Sequence, residues 1–190
     1  FRHLLAQIGG TVVSSIPALG IYQVRLLPGT NVDDLVAQLK RNPLLQEVEP
    51  NYAAVLPASP ATGEGAAARD APVPARGATA VAVLDSGLLS GQGLDESVIG
   101  QYDAILPGSA LDDPNGHGTQ MALVAAGGVS PSGVEISEEG VPVLAVRAFD
   151  DNGTTSNFAL MRALQYALDQ GARVINLSWG SETASLFMKT

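Results

Sequence analysis

Residues 81–87 read Val-Ala-Val-Leu-Asp-Ser-Gly, an apolar and partly β-branched run that stops at a carboxylate and a turn signal. A continuous apolar run of this length is typical of a buried strand, and serine followed by glycine indicates a turn. Asp85 would then stand at the carboxyl end of the strand, where α/β sheets place their functional residues. The stretch therefore predicts an α/β sheet with an acidic group at its functional edge.

The histidine in residues 115–119, Asn-Gly-His-Gly-Thr, lies between two glycines, where backbone segments can approach closely. A helix-forming run, residues 119–126, follows it and ends at Gly127. The pattern predicts that His117 lies at the start of a helix, on a rigid support.

These two side chains suggest a particular chemistry, because an aspartate that fixes an imidazole tautomer and a histidine that accepts a proton are two members of a serine-protease triad. The two motifs resemble the aspartate and histidine motifs of the subtilisin-like serine proteases (subtilases), whose chain order is Asp, His, Ser. The resemblance implies that Asp85 and His117 are catalytic. Taken singly, the aspartate could cap a turn and the histidine could pack at a helix start. The two motifs together, in the family's order, favour catalysis.

Composition limits the possible partners. The 190 residues are 46% hydrophobic, enough for a sizeable core, and the length suggests one domain with a smaller companion. With 19 acidic and 10 basic residues the formal net charge is −9, which argues against nucleic acid and anionic membrane surfaces. No apolar run in the sequence is long enough to span a bilayer.

The chain contains no cysteine, which excludes disulfides, zinc–thiolate sites and a cysteine nucleophile. The lack of cysteine does not decide the compartment, because a large core needs no disulfides. We expect a secreted or cell-envelope protein that uses no cofactor and no metal.

Residues 1–56 predict a small α+β unit. Its elements are a helix ending at Gly9, strands at 11–13 and 21–26, a helix at 32–39 and a strand at 45–52. This ferredoxin-like order resembles the back end of the inhibitor-type propeptide that precedes subtilase catalytic domains. The family's first strand and most of its first helix have no counterpart here, so we expect an N-terminally truncated unit. The resemblance implies a propeptide that packs on the catalytic domain and lays its C-terminal tail in the substrate cleft.

Residues 57–78 are rich in proline, glycine and alanine and predict a linker without a packed element. This linker is either an interdomain tether or the region where a propeptide is cut from the mature enzyme. Residues 79–190 would form the N-terminal part of a subtilisin-like catalytic domain. Its predicted fold class is α/β, a doubly wound, mostly parallel and incomplete sheet. Buried strands at 141–146 and 174–178 flank a helix at 157–170, which implies a parallel crossover.

The region between the two motifs, residues 88–114, predicts loops with one short strand at 98–102. Asp112, Asp113 and Asn115 lack the alternating oxygen ligands and closing glutamate of a calcium loop. We therefore predict that these three are solvated loop residues.

Two segments resemble the edges of the subtilase substrate cleft, residues 152–156 (Asn-Gly-Thr-Thr-Ser) and residues 178–180 (Ser-Trp-Gly). An extended polypeptide substrate would add between them as a strand, with glycines allowing close approach. The resemblance implies five substrate-binding residues: Gly153, Thr154, Ser178, Trp179 and Gly180.

Two side chains near these segments have more than one interpretation. Trp179 either narrows a pocket for an apolar substrate residue, together with Leu160 and Phe149, or is a core or interface aromatic. Asn176 is expected to satisfy backbone groups in the sheet and not to act as an oxyanion donor.

The family's Gly-Thr-Ser-Met-Ala nucleophile motif does not occur in these 190 residues. The nearest match, residues 118–122, carries glutamine in place of serine. We hypothesise that the chain is the N-terminal part of a longer polypeptide, cut near Thr190, whose C-terminal remainder carries the catalytic serine. The fragment alone would then be inactive. Two functions stay open: a serine endopeptidase, or a pseudoprotease that acts as a peptide-binding or scaffolding module.

Overall fold

The structure, a computed structural model, describes residues 1–57, 67–130, 138–180 and 185. The described residues divide into two compact units. Unit 1 comprises Phe1–Tyr52 with Ser185, and unit 2 comprises the described residues from 53 to 180. Among the described residues, no helix has the length and apolar character that a membrane crossing requires.

Unit 1 is built from two short helices and one antiparallel hairpin: α1 (Arg2–Ile8), β1 (Thr11–Ile16), β2 (Ile21–Arg25) and α2 (Val32–Leu39). Helix α1 ends because Gly9 adopts a left-handed conformation, with φ 64°, and its N–H closes onto the preceding turn. Helix α2 begins where the side chain of Asn31 accepts a hydrogen bond from the Asp34 N–H. The two helices and the two strands predicted here are confirmed, and the first strand extends further than predicted, to Ile16.

The predicted strand at residues 45–52 is wrong. Local hydrogen bonds occupy this backbone instead of a ladder: the side chain of Glu47 accepts from the Val48 N–H, and the Pro50 carbonyl accepts from the Tyr52 N–H. Pro50 also lacks the N–H that a ladder needs. The next strand, β3 (Ala53–Val55), belongs to unit 2.

Unit 2 contains a four-stranded parallel sheet and two helices. Its remaining elements are β4 (Ala67–Ala68), β5 (Val81–Asp85), β6 (Val98–Asp103), α3 (His117–Ala126), β7 (Val129–Ser130), β8 (Val143–Arg147), β9 (Thr154–Ser156), α4 (Asn157–Asp169) and β10 (Val174–Asn176). The sheet order is β10-β5-β8-β6, and all three pairings are parallel. β5 and β8 therefore lie in the interior of the sheet, as their continuous apolar runs predict.

Both faces of this sheet are covered. On one face, Val83, Val143 and Ala145 pack with Ala122 and Ala126 of α3. The residues that alternate with them in β5 and β8 are buried as well, and α4 also packs against these two strands. The doubly wound α/β arrangement predicted from the sequence is therefore observed. The predicted strand at 98–102 is confirmed as β6 and extends this sheet.

The described part of the predicted linker, residues 67–78, is part of unit 2 and forms backbone contacts with other segments of that unit. β4 pairs with β7, the buried Ala71 donates its N–H to the Gly93 carbonyl, and Pro74 forms a bridge with Gly140. A segment rich in alanine and proline has no apolar periodicity from which its packing could be predicted. Its backbone N–H and C=O groups can still form hydrogen bonds with neighbouring segments. Residues 58–66 lie outside the described residues, and the linker boundaries stay a prediction.

Candidate active site

The two motif side chains meet at the carboxyl edge of the parallel sheet. Asp85 is the last residue of β5 and His117 is the first residue of α3. Nδ1 of His117 lies 2.7 Å from Oδ1 of Asp85, and the two residues are only 4% and 1% exposed. Because an ionised carboxylate only accepts, this hydrogen bond places the imidazole proton on Nδ1 and leaves Nε2 able to accept one. The contact predicted from the sequence is therefore present.

The carboxylate of Asp85 is buried, which disfavours its charged form. Burial raises the pKa of Asp85, while the hydrogen bond from His117 and that from the Ser86 N–H lower it. Among the described residues, none donates a hydrogen bond to Oδ2 of Asp85. Arg147 lies beside Asp85 in the sheet, but its guanidinium binds Asp103 and Asp151 instead.

Glycines bring the two motifs into backbone contact. A Cβ on Gly118 would lie 2.5 Å from the Gly87 carbonyl oxygen and 2.7 Å from the Gly87 nitrogen. Gly87 itself has φ 143°, and a Cβ there would lie 1.9 Å from the Asp112 carbonyl oxygen. The start of α3 can therefore reach the end of β5 only if these positions lack side chains.

Gly118→Ala is expected to destabilise the chain by about 1–3 kcal/mol, because the methyl group meets rigid backbone. The helix preference of alanine acts in the opposite direction by about 1 kcal/mol, so the sign of the change is informative. Gly180→Ala is the control, since a Cβ at Gly180 meets no atom of the described residues within 4 Å. Urea unfolding of both variants measures the difference. A stability gain in Gly118→Ala would contradict the close contact.

Asp113 is buried, so the prediction that it is a solvated loop residue is wrong. It is 1% exposed, and its carboxylate accepts four hydrogen bonds. The donors are the Ser86 hydroxyl (2.6 Å), the Gly116 N–H (3.0 Å), the Thr119 N–H (2.8 Å) and the Thr119 hydroxyl (2.6 Å). Sequence reasoning missed it because one buried acid in a polar loop leaves no periodic signal.

The neighbours of Asp113 in this loop, Asp112 and Asn115, are exposed as predicted. Among the described residues, no group of three or more His, Cys, Asp or Glu side chains could hold a metal ion.

The predicted cleft segments lie on either side of a piece of the chain itself. β3 pairs antiparallel with β9, with Ala54 opposite Thr155 and Val55 opposite Thr154. The Leu56 N–H donates to the Gly153 carbonyl (2.8 Å), where Gly153 has a left-handed φ of 68°.

On its other side, Val55 forms an antiparallel bridge with Gly180. Gly153, Thr154 and Gly180 are therefore brought together around one extended segment.

The side chains of the other two predicted substrate-binding residues, Trp179 and Ser178, form hydrogen bonds within the chain. Trp179 donates its indole N–H to the Leu84 carbonyl (3.0 Å), and its ring meets the buried Phe149 edge-on. The Ser178 hydroxyl accepts a hydrogen bond from the Asn176 side chain (2.9 Å). Asn176 therefore donates to a side chain, and the prediction that it satisfies backbone groups in the sheet is wrong. The pocket role of Trp179 stays a prediction.

Comparison with known proteins identifies the class. The Subtilase family model matches residues 76–189, and the Fervidolysin N-terminal prodomain model matches residues 1–51. The chain therefore belongs to the subtilase family, and its first 51 residues are similar to the fervidolysin N-terminal prodomain. The resemblance read from the sequence is confirmed.

Curated relatives agree with this assignment. The chain is 32% identical to the thermophilic serine proteinase of Bacillus sp. (strain AK1), over 94% of this chain and 47% of the relative. It is 37% identical to thermitase of Thermoactinomyces vulgaris, over 53% of this chain and 37% of the relative. It is 38% identical to the extracellular serine proteinase of Thermus sp. (strain Rt41A), over 52% and 23%. The chain thus spans about half the length of the first relative and less of the others.

Proposed function

We propose that this chain works in a subtilisin-type serine endopeptidase that hydrolyses peptide bonds. Asp85 orients His117, and His117 acts first as general base and then as general acid. The attacking serine lies outside these 190 residues, in a C-terminal remainder of the same protein. The observation that carries the proposal is the 2.7 Å contact between the buried Asp85 and His117 side chains.

Substrate binding in this proposal follows the course of β3. An extended polypeptide would pair with residues 153–155 on one side and with Gly180 on the other, so that backbone hydrogen bonds supply the affinity. Segment 53–56 is the stand-in for such a substrate, because it makes these pairings itself. Ser178 and Trp179 belong to the Gly180 side of the cleft.

The same pairing supports a zymogen. The prodomain-like unit leads along the chain directly into β3, so the cleft is filled by the protein's own segment. We propose residues 1–56 as the propeptide, 57–78 as the linker in which it is cut, and 79–190 as the catalytic part. We also propose export from the cell, to the medium or the envelope, because two relatives are named extracellular proteases.

Labelling with a fluorophosphonate probe, which reacts with activated serines, tests the proposed triad. The 190-residue chain should stay unlabelled, and the polypeptide extended beyond Thr190 should be labelled at about pH 7–9. His117→Ala should reduce labelling by about 10⁴-fold or more, since a triad loses its action as a unit. His3→Ala is the control, because His3 is the only other histidine and is exposed.

Each outcome of this experiment decides between the functions left open by the sequence. Labelling of the 190-residue chain would contradict the proposal that the attacking serine lies outside these residues. An extended polypeptide that never reacts would favour the peptide-binding pseudoprotease.

A further inference from the structure

We infer that Asp113 is a positioning residue, which holds the Asp85–His117 pair in register through the hydroxyl of Ser86. This inference rests on the proposed function, which gives the Asp85–His117 pair its catalytic role. Among the described residues, the hydrogen-bond donors to the Asp113 carboxylate are Ser86, Gly116 and Thr119, which include neither the imidazole nor a predicted substrate-binding residue.

Asp113 joins the two motifs through hydrogen bonds from both of them. Its Oδ1 accepts from Ser86, the neighbour of Asp85, and its Oδ2 accepts twice from Thr119, in the first turn of α3. Helix α3 carries His117 as its first residue. One fully buried carboxylate therefore fixes the helix start relative to the end of the strand, with short and charge-assisted hydrogen bonds.

The Ser86 hydroxyl lies within reach of two carboxylates, those of Asp113 and Asp85. This hydroxyl lies 2.6 Å from Oδ1 of Asp113 and 3.3 Å from Oδ1 of Asp85, and it accepts from the Gly118 N–H at 2.9 Å. A hydroxyl has one proton to donate. The Asp113 oxygen takes that proton, because it lies closer to the hydroxyl than the Asp85 oxygen does.

The direction of the Ser86 hydroxyl matters for Oδ1 of Asp85. This oxygen already accepts hydrogen bonds from the His117 imidazole and from the Ser86 N–H. Without the Asp113 carboxylate, the Ser86 hydroxyl is expected to turn toward this oxygen as a third donor. The new donor would compete with the imidazole N–H for the same lone pairs. Asp113 thus protects the hydrogen bond that sets the tautomer of His117.

The test reads the imidazole Nδ1–H of His117 by nuclear magnetic resonance in the 190-residue chain, which does not require catalysis. Asp113→Asn keeps the shape and removes the charge. We expect its Nδ1–H signal to move upfield and its exchange with solvent to become about tenfold faster. Asp112→Asn is the matched control, the same change one residue away at an exposed carboxylate; its side-chain oxygen can still accept from the Asp113 N–H, so both properties should stay unchanged.

Two further variants separate positioning from general loosening. Thr119→Val removes one donor to Asp113 but leaves the contact with Ser86, so it should destabilise the chain without changing the Nδ1–H signal. Ser86→Ala removes the intermediary, so adding Asp113→Asn to it should produce little further change.

The inference is overturned if Thr119→Val shifts the signal as much as Asp113→Asn, or if the effects of Ser86→Ala and Asp113→Asn simply add. It is also overturned if Asp113→Asn leaves the signal unchanged. Because no readout involves the nucleophile, the inference and the proposed protease activity can fail separately.

Discussion

Asp85→Asn is expected to yield a protein that is more stable at neutral pH and about 10⁴-fold less active as a protease. The stability gain follows from burial, which raises the pKa of Asp85 in the folded state. A raised pKa means that Asp85 contributes stability below its unfolded value, near 3.8, and that this stability is lost as pH rises through the folded value. At neutral pH the buried carboxylate is therefore a cost that asparagine removes.

The loss of activity follows from the same substitution for a different reason. The carboxylate can only accept, so it holds the His117 proton on Nδ1. An amide can donate as well, and donation to Nδ1 would move the imidazole proton to Nε2. A histidine with a proton on Nε2 cannot take one from a serine, although the geometry is intact.

Urea unfolding of the 190-residue chain at about pH 7 and about pH 3 measures the first effect, and peptide hydrolysis by the extended polypeptide measures the second. The stability difference from the native chain should shrink at acid pH, where the native Asp85 is itself neutral. Asp112→Asn serves as the control, because this carboxylate is exposed, and should change stability by less than about 0.5 kcal/mol. A less stable Asp85→Asn at pH 7 would show that its hydrogen bonds outweigh its burial.

Much of this site could be predicted from the sequence because its two main residues stand at the ends of strongly patterned elements. The apolar run of β5 fixes where Asp85 emerges, and the glycine-flanked helix start does the same for His117. Parallel strands bring their carboxyl ends to one edge, so contact between the two was a reasonable inference.

The features that sequence reasoning missed depend on distant partners. Asp113 is buried only because Ser86, 27 positions earlier, and the first turn of α3 supply its hydrogen bonds. The indole of Trp179 finds the carbonyl of Leu84, 95 positions away. No local pattern encodes such pairings, and the wrong strand at 45–52 has the same origin, since extended residues become a strand only where a neighbouring strand accepts them.

Ala54→Asp is expected to release β3 from the cleft segments, whereas Val55→Asp is expected to leave it bound. The two positions are adjacent in one strand, so their side chains point to opposite faces. Ala54 is 5% exposed and Val55 is 61% exposed. The same charge is therefore buried at one position and solvated at the other, which makes the second variant a matched control.

The cost at position 54 is the desolvation of a carboxylate with too few donors. Thr155 lies opposite Ala54, and its buried hydroxyl has no partner among the described residues, so it could donate one hydrogen bond. One hydrogen bond from this hydroxyl does not compensate for the desolvation of a buried carboxylate. Release of β3 from the cleft costs less, because it breaks only the few backbone pairings of a short strand.

Hydrogen exchange at the Leu56 amide, which donates to the Gly153 carbonyl, reports whether the segment stays in place. We expect exchange at least about tenfold faster in Ala54→Asp than in the native chain, and little change in Val55→Asp. In the extended polypeptide, Ala54→Asp should also speed fluorophosphonate labelling, because the emptied cleft admits the probe. If the Leu56 amide exchanges alike in the two variants, the side chain of residue 54 does not lie in a pocket, and the view that β3 occupies the place of a substrate is contradicted. Only a difference between the adjacent positions supports the view that the protein's own segment occupies the place of a substrate.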